Sequence, residues 1–170
     1  MAQAKPVFGY WKLRAGPRGN VNRHLLYYAG VDFEDRHFFR EPENTWLPEK
    51  ENFGGEFPNI PYIQDGDFKL SESKAVTVYI CDRWCPELMG ANVQERGQII
   101  MLQCMITDYC MKILGPTFSS TTLEPCIAGG MDNIGPLVDY LGNKNYFMGN
   151  KVTMPDLFFY EAVDTVLAVC

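Results

Sequence analysis

The hydrophobic pattern of this chain changes character once, near residue 90, and that change constrains its fold more than any other feature. Residues 1–86 alternate short apolar runs with helical stretches, whereas residues 92–170 carry helical patterns only. Such an ordering describes an α/β unit followed by an all-helical unit. The length of 170 residues suits one ordinary domain or two small ones packed together.

In the first half, Val7-Phe8-Gly9-Tyr10-Trp11 is a short strand-type run rich in aromatics. Gly16-Pro17-Arg18-Gly19 breaks the chain, and Asn20 is placed to cap a helix through Leu25, Leu26 and Tyr28 that closes at Gly30. Val31 to Phe39 reads as a second strand, parallel to the first across that helix. Residues 40–57, with their prolines and paired glycines, read as an irregular connection. Ile60–Gln64 and Phe68–Leu70 flank Asp65-Gly66-Asp67, a hairpin signal because Asp-Gly supplies the positive φ of a tight turn. Ser71 is expected to cap a helix carrying Ala75, Val76, Val78, Tyr79 and Ile80, which Trp84-Cys85-Pro86 ends. Strand, helix, strand, strand, strand, helix is the order of a thioredoxin-like domain.

The second half opens with a helix expected from Asn92 to Leu114 and stopped by Gly115-Pro116. Ile99, Leu102, Ile106, Cys110 and Ile113 recur at three- and four-residue steps, so one face is buried. Residues 115–130 read as loop, and Met131 to Leu141 as a short helix containing Gly135-Pro136. In Gly149–Asp156, Thr153 is the N-cap, Pro155 sits in the first turn, and Asp156 can reach back to the Thr153 amide. An apolar run over 157–169 follows.

Composition excludes several functions. The chain is 46% hydrophobic and 21% charged, which argues against disorder. Its net charge of −6 disfavours gripping phosphate backbones. No apolar run approaches the ~18–20 residues of a membrane span, and the start shows no secretory h-region, so the chain reads as cytosolic. Six cysteines are then expected to be reduced. Cys81 and Cys85 form a C-x3-C, neither a redox nor a zinc spacing, and read as two thiols on one helix. His24 and His37 lie in no metal-ligand spacing, and no G-x-S-x-G accompanies them.

Taken together, Gly9-Tyr10-Trp11, Trp46-Leu-x-x-Lys50, Phe57-Pro-Asn-Ile-Pro-Tyr62, the Asp65-Gly66 hairpin, Glu72-Ser73 and Gly149-Asn-Lys-Val-Thr-x-x-Asp156 resemble the mu class of cytosolic glutathione S-transferases. The segments stand in the family's order over nearly the whole chain. The resemblance implies a thioredoxin-like glutathione-binding domain over 1–86, a helical C-terminal domain over 92–170, a homodimer, and transfer of the glutathione thiolate to small hydrophobic electrophiles in detoxification. It implies no metal or tightly bound organic cofactor, glutathione being a co-substrate.

A thiol of pKa ~8.5 is only about 3% thiolate at pH 7, and lowering that value by ~2 units asks for about 2.7 kcal/mol of selective stabilisation. A hydroxyl donor aimed at the sulfur supplies it by favouring the charged form. Among nine tyrosines, Tyr10 alone ends the first strand beside Trp11. As a bare residue it reads first as a core aromatic; the strand-end position beside Trp11 and the resemblance make it the catalytic tyrosine. By the same resemblance, Trp11, Trp46, Lys50, Asn59, Ile60, Glu72, Ser73 and Asp108 hold the tripeptide. Lys50 and the Trp46 indole grip the glycine carboxylate, and Ser73 holds the γ-glutamyl carboxylate at a helix start whose free N–H groups favour an anion. Ile60-Pro61 is expected to be cis, presenting the Ile60 backbone to the cysteinyl part. Asp108 reaches the glutathione ammonium of the neighbouring subunit. Phe57 is the aromatic inserted into the partner, and otherwise a core phenylalanine.

Four departures accompany the likeness. The loop between Trp11 and Arg23 is two residues longer than the family's. Phe118, in the electrophile pocket, stands where several members place a second tyrosine, and a phenyl ring donates no hydrogen bond. Glu72 and Glu43 replace a glutamine and a basic residue. The sequence ends at Cys170, inside or just after the last helix, so the family's final helices are expected to be missing. A non-catalytic glutathione-binding or structural protein on the same fold is the competing expectation.

Overall fold

The computed structural model describes residues 4–13, 16, 18–117 and 134–169. They fall into two compact units, one within residues 1–14 and 18–85, the other within 15–17 and 86–170.

The first unit is built on a four-stranded sheet in the order β2-β1-β3-β4. Strand β1 (Val7–Trp11) runs parallel to β2 (Glu34–Phe38), with Tyr10 opposite His37 and Trp11 opposite Phe38. It runs antiparallel to β3 (Tyr62–Asp65), which pairs with β4 (Phe68–Ser71) across a two-residue turn. Gly66 in that turn has φ 61°, the conformation its lack of a Cβ makes cheap. The parallel crossover is made by α1 (Asn20–Tyr28), and α3 (Ser73–Trp84) packs beside it. Phe8 and Ile63 from the sheet, Leu25 and Leu26 from α1, and Val76 and Ile80 from α3 are buried completely. On the other surface of the sheet Tyr62 gathers Phe38, Trp46 and Phe53, with ring centres 4.9–6.3 Å away. That cluster is possible because Gly9 is bare: a Cβ there would lie 2.1 Å from the Tyr62 ring.

Three local expectations change. The cap of α1 is Gly19; Asn20 is the first helical residue, and its amide oxygen accepts from Arg23 at 2.9 Å. Residues 40–57 hold a helix, α2 (Trp46–Glu51), opened by Asn44 Oδ1 accepting the amides of Trp46 and Leu47. Pro48 is harmless in its first turn. Finally, α3 is capped by the Glu72 backbone, while the Ser71 hydroxyl donates to the Phe57 carbonyl at 2.5 Å.

The second unit contains a 3-10 turn (Pro86–Met89), α4 (Val93–Thr117), α5 (described over residues 134–141) and α6 (Met154–Val169). Asn92 caps α4 by accepting the amides of Gln94 and Glu95. The helix continues through Gly115-Pro116, the expected stop, to Thr117; a glycine before the proline brings no Cβ to clash with its ring, although the proline's own ladder bond is lost. Ile99, Leu102, Ile106 and Cys110 are buried, and α4 packs along α6. Asp156 closes the start of α6, its Oδ2 accepting both the amide and hydroxyl of Thr153 at 2.8 Å, its Oδ1 the amide of Phe147 at 2.8 Å. The Gly16 amide donates to the buried Glu161 carboxylate at 2.9 Å. Cys81, Cys85, Cys104 and Cys110 are in no disulfide. Among the described residues no helix is long and apolar enough to cross a membrane.

Candidate active site

Strand register determines which residues meet at the end of the sheet. Gly9 pairs with Tyr62, and Tyr62 with Ser71. One step further along the three chains come Tyr10, Pro61 and Glu72; the step after brings Trp11, Ile60 and Ser73. This is the end at which the parallel strands β1 and β2 present their carboxyl termini, where ligand crevices open in α/β sheets. Tyr10, Pro61 and Glu72 thus each adjoin a paired residue at this end of the sheet, from segments far apart in sequence.

Hydrogen bonds fix the corner. Ile60-Pro61 is cis, as expected. Asn59 Oδ1 accepts the Ile60 amide at 2.9 Å, and Asn59 Nδ2 donates to Glu72 Oε1 at 2.8 Å. Together with the Ser71–Phe57 bond, this ties the loop before β3 to the corner after β4 at two points. Glu72 has φ 71°, a region that is uncommon for a residue with a side chain and that clusters at binding sites. Its carbonyl accepts the Val76 amide at 2.9 Å, but no side chain caps α3, so the helix start keeps its electropositive character.

Trp46 and Lys50 lie one turn apart on α2. The Trp46 indole is 5% exposed and stacks on Tyr62, whereas Lys50 is exposed. Burial pushes the Tyr62 phenol up, against the neighbouring Arg36 guanidinium, which lowers it. Trp11 is half-buried, with the Arg40 guanidinium 4.9 Å from its ring centre. Phe57 is 74% exposed, which removes the expectation of a core phenylalanine. Glu43 is exposed as well. Asp108 belongs to the other unit, where it lines a cleft of about 500 Å³ with Met105, Lys112 and Leu137. Phe118 lies outside the described residues. Among the described residues no cluster of His, Cys, Asp or Glu could hold a metal ion.

Beside β1 lies a polar group that sequence reasoning missed. Arg23 Nε donates to both oxygens of Asp35, at 3.0 and 2.8 Å, and its guanidinium lies 5.3 Å from the Phe8 ring centre. His37, the β2 neighbour of Tyr10, sets Nε2 3.0 Å from Asp35. The only sequence signal was spacing: Asp35 and His37 share a face of one strand, but nothing marked Arg23 as their partner.

Residues 6–82 match the glutathione S-transferase N-terminal domain family. A class-mu 26 kDa glutathione S-transferase isozyme of Schistosoma mansoni is 36% identical over 165 residues, covering 95% of this chain and 74% of that protein. The chain belongs to the glutathione S-transferase family. Its likeness is to the mu class: the class-mu 26 kDa isozyme of Schistosoma japonicum is 33% identical over 95% of this chain and 74% of its own length. Among solved structures, a Caenorhabditis elegans glutathione S-transferase superposes with a TM-score of 0.80 at 22% identity, over 96% of this chain and 82% of that one. A diazinon-metabolizing glutathione S-transferase of the silkworm Bombyx mori gives 0.81 at 22% identity, over 98% and 82%. These two share the fold, a thioredoxin-like unit with helices after it, as the motif resemblance implied.

Proposed function

We propose that this transferase activates glutathione through Tyr10 and transfers its thiolate to electrophilic carbon of small hydrophobic molecules, a detoxification chemistry of the cytoplasm. Glutathione is a co-substrate, so the reaction asks for no metal or organic cofactor. The observation that supports the reading best is the register by which Tyr10, cis-Pro61 and Glu72 reach one end of the sheet.

In this proposal the Tyr10 hydroxyl donates to the sulfur, lowering the proton affinity of the thiol. The Ile60 backbone, held by Asn59, meets the cysteinyl part. The uncapped start of α3, with Ser73, takes the γ-glutamyl carboxylate, and Glu72 faces the ammonium. Trp11, Trp46 and Lys50 hold the remainder, Phe118 borders the electrophile, and residues 1–86 and 92–170 act as binding and helical domains. Two chains form a homodimer in which Phe57 anchors in the partner and Asp108 reaches the partner's glutathione.

The test is conjugation of glutathione to an aromatic halide, together with ultraviolet titration of the bound thiol. Wild type is expected to turn over with thiolate present at neutral pH. Tyr10→Phe is expected to return the thiol toward pKa ~8.5, with a loss of thiolate and rate of roughly twentyfold at pH 7. Unchanged turnover in that variant sinks the mechanism; retention on immobilised glutathione without turnover in wild type makes the chain a binder.

A further inference from the structure

We infer that Gly19 is a positioning residue for Tyr10, its missing side chain being the seat in which the tyrosine ring lies. The inference rests on the role proposed above for Tyr10. A Cβ built at Gly19 would fall 1.8 Å from Cδ1, 2.3 Å from Cε1 and 2.4 Å from Cγ of Tyr10. Carbon atoms in good contact stand ~3.5–4.0 Å apart. Cγ lies on the axis about which the ring flips, so a flip cannot clear the collision. The whole ring must swing, or the entry to α1 must move.

Backbone conformation does not call for a glycine at this position. Its backbone, φ −119° and ψ −44°, is open to any residue. It is also the N-cap of α1, and α1 has no side-chain cap hydrogen bond. Glycine is an accepted N-cap, only slightly poorer than serine, aspartate or asparagine, so capping by itself does not single out glycine over those polar residues here. The helix forgoes a side-chain cap, and the Tyr10 ring fills the space. Strand β1 fixes the Tyr10 backbone beside His37, and Gly19 fixes how far its ring can sink toward α1, where it is 7% exposed. Hydrogen-bond strength falls steeply with angle, and a 1 Å misplacement in an active site can cost ~100-fold in rate.

The experiment compares wild type, Gly19→Ala, Tyr10→Phe and the double variant. Gly19→Ala is expected to raise the pH at which the bound glutathione thiol ionises by at least one unit. It is also expected to lower kcat at neutral pH at least tenfold while the KM for glutathione stays within twofold. On the Tyr10→Phe background the same substitution adds less than twofold. Gly97→Ala, where a Cβ meets nothing within 4 Å, is expected to behave as wild type. An unchanged thiol titration in Gly19→Ala overturns the inference, as does an equal loss on both backgrounds. If Tyr10→Phe itself leaves the titration unmoved, the parent reading has failed and takes this one with it. Should Gly19→Ala lower the melting temperature, the loss is measured again on a Tyr10→Ala background. Its disappearance there supports a collision with the ring, and its persistence overturns it.

Discussion

Glu72 shows what a single residue contributes to the corner. Its backbone takes a conformation that favours glycine, yet its side chain is the acceptor for Asn59. Replacing it therefore separates two effects. Glu72→Gln keeps an acceptor oxygen for Asn59 but removes the charge proposed to face the ammonium, and its KM for glutathione is expected to rise by about two- to threefold, as for an exposed ion pair. Glu72→Ala frees Asn59, and the loss of one hydrogen bond to a charged group on an exposed corner is expected to raise that KM by roughly three- to tenfold. Steady-state kinetics on both variants checks this; equal KM values would mean that the tether does not organise the site. The Asn59–Glu72 bond spans 13 residues. Nothing in the sequence around either residue announces it. The motif resemblance named both residues as ligand contacts, but their contact with each other emerges only when cis-Pro61 turns the chain back.

Elements were legible where their signal is local. The Asp65-Gly66 hairpin and the Thr153–Asp156 cap needed only their own few residues. Helix α2 was hidden because six residues give too short a period to read and Pro48 disguises its first turn. The cap of α3 was misplaced by one residue because the Ser71 hydroxyl has a partner 14 residues away, at Phe57. Asp156 holds three donors at once, so Asp156→Ala is expected to destabilise the helical unit by about 1–2 kcal/mol, read from denaturant unfolding. The aromatic cluster on the sheet predicts a pH dependence. The Tyr62 phenol is raised above 10.0 in the fold, mainly by burial, so the native state holds that proton more tightly than the unfolded chain. Its contribution is complete below pH 10 and is lost as pH rises through the folded value. Tyr62→Phe is therefore expected to show a shallower loss of unfolding free energy above pH 10, and an unchanged slope would refute the assignment.

At the scale of the molecule, the proposed dimer gives Phe57 its reason for standing 74% exposed on a loop pinned at its carbonyl. An anchor of that kind carries 2 kcal/mol or more, so Phe57→Ala is expected to weaken self-association by roughly thirtyfold or more in sedimentation equilibrium. The melting temperature of the monomer should hardly move, since little of the ring is covered within one chain. A wild-type chain that sediments as a monomer at micromolar concentration would remove the basis for both Phe57 and Asp108. Asp108 enters the proposal only through resemblance, because an exposed carboxylate on a long helix has no sequence mark of purpose. The bare positions Gly9 and Gly19 each have a tyrosine ring resting on their backbone. Any effort to diversify this chain toward new electrophiles loses the clones that write a side chain at either codon, so randomised libraries should hold both fixed and spend their diversity elsewhere.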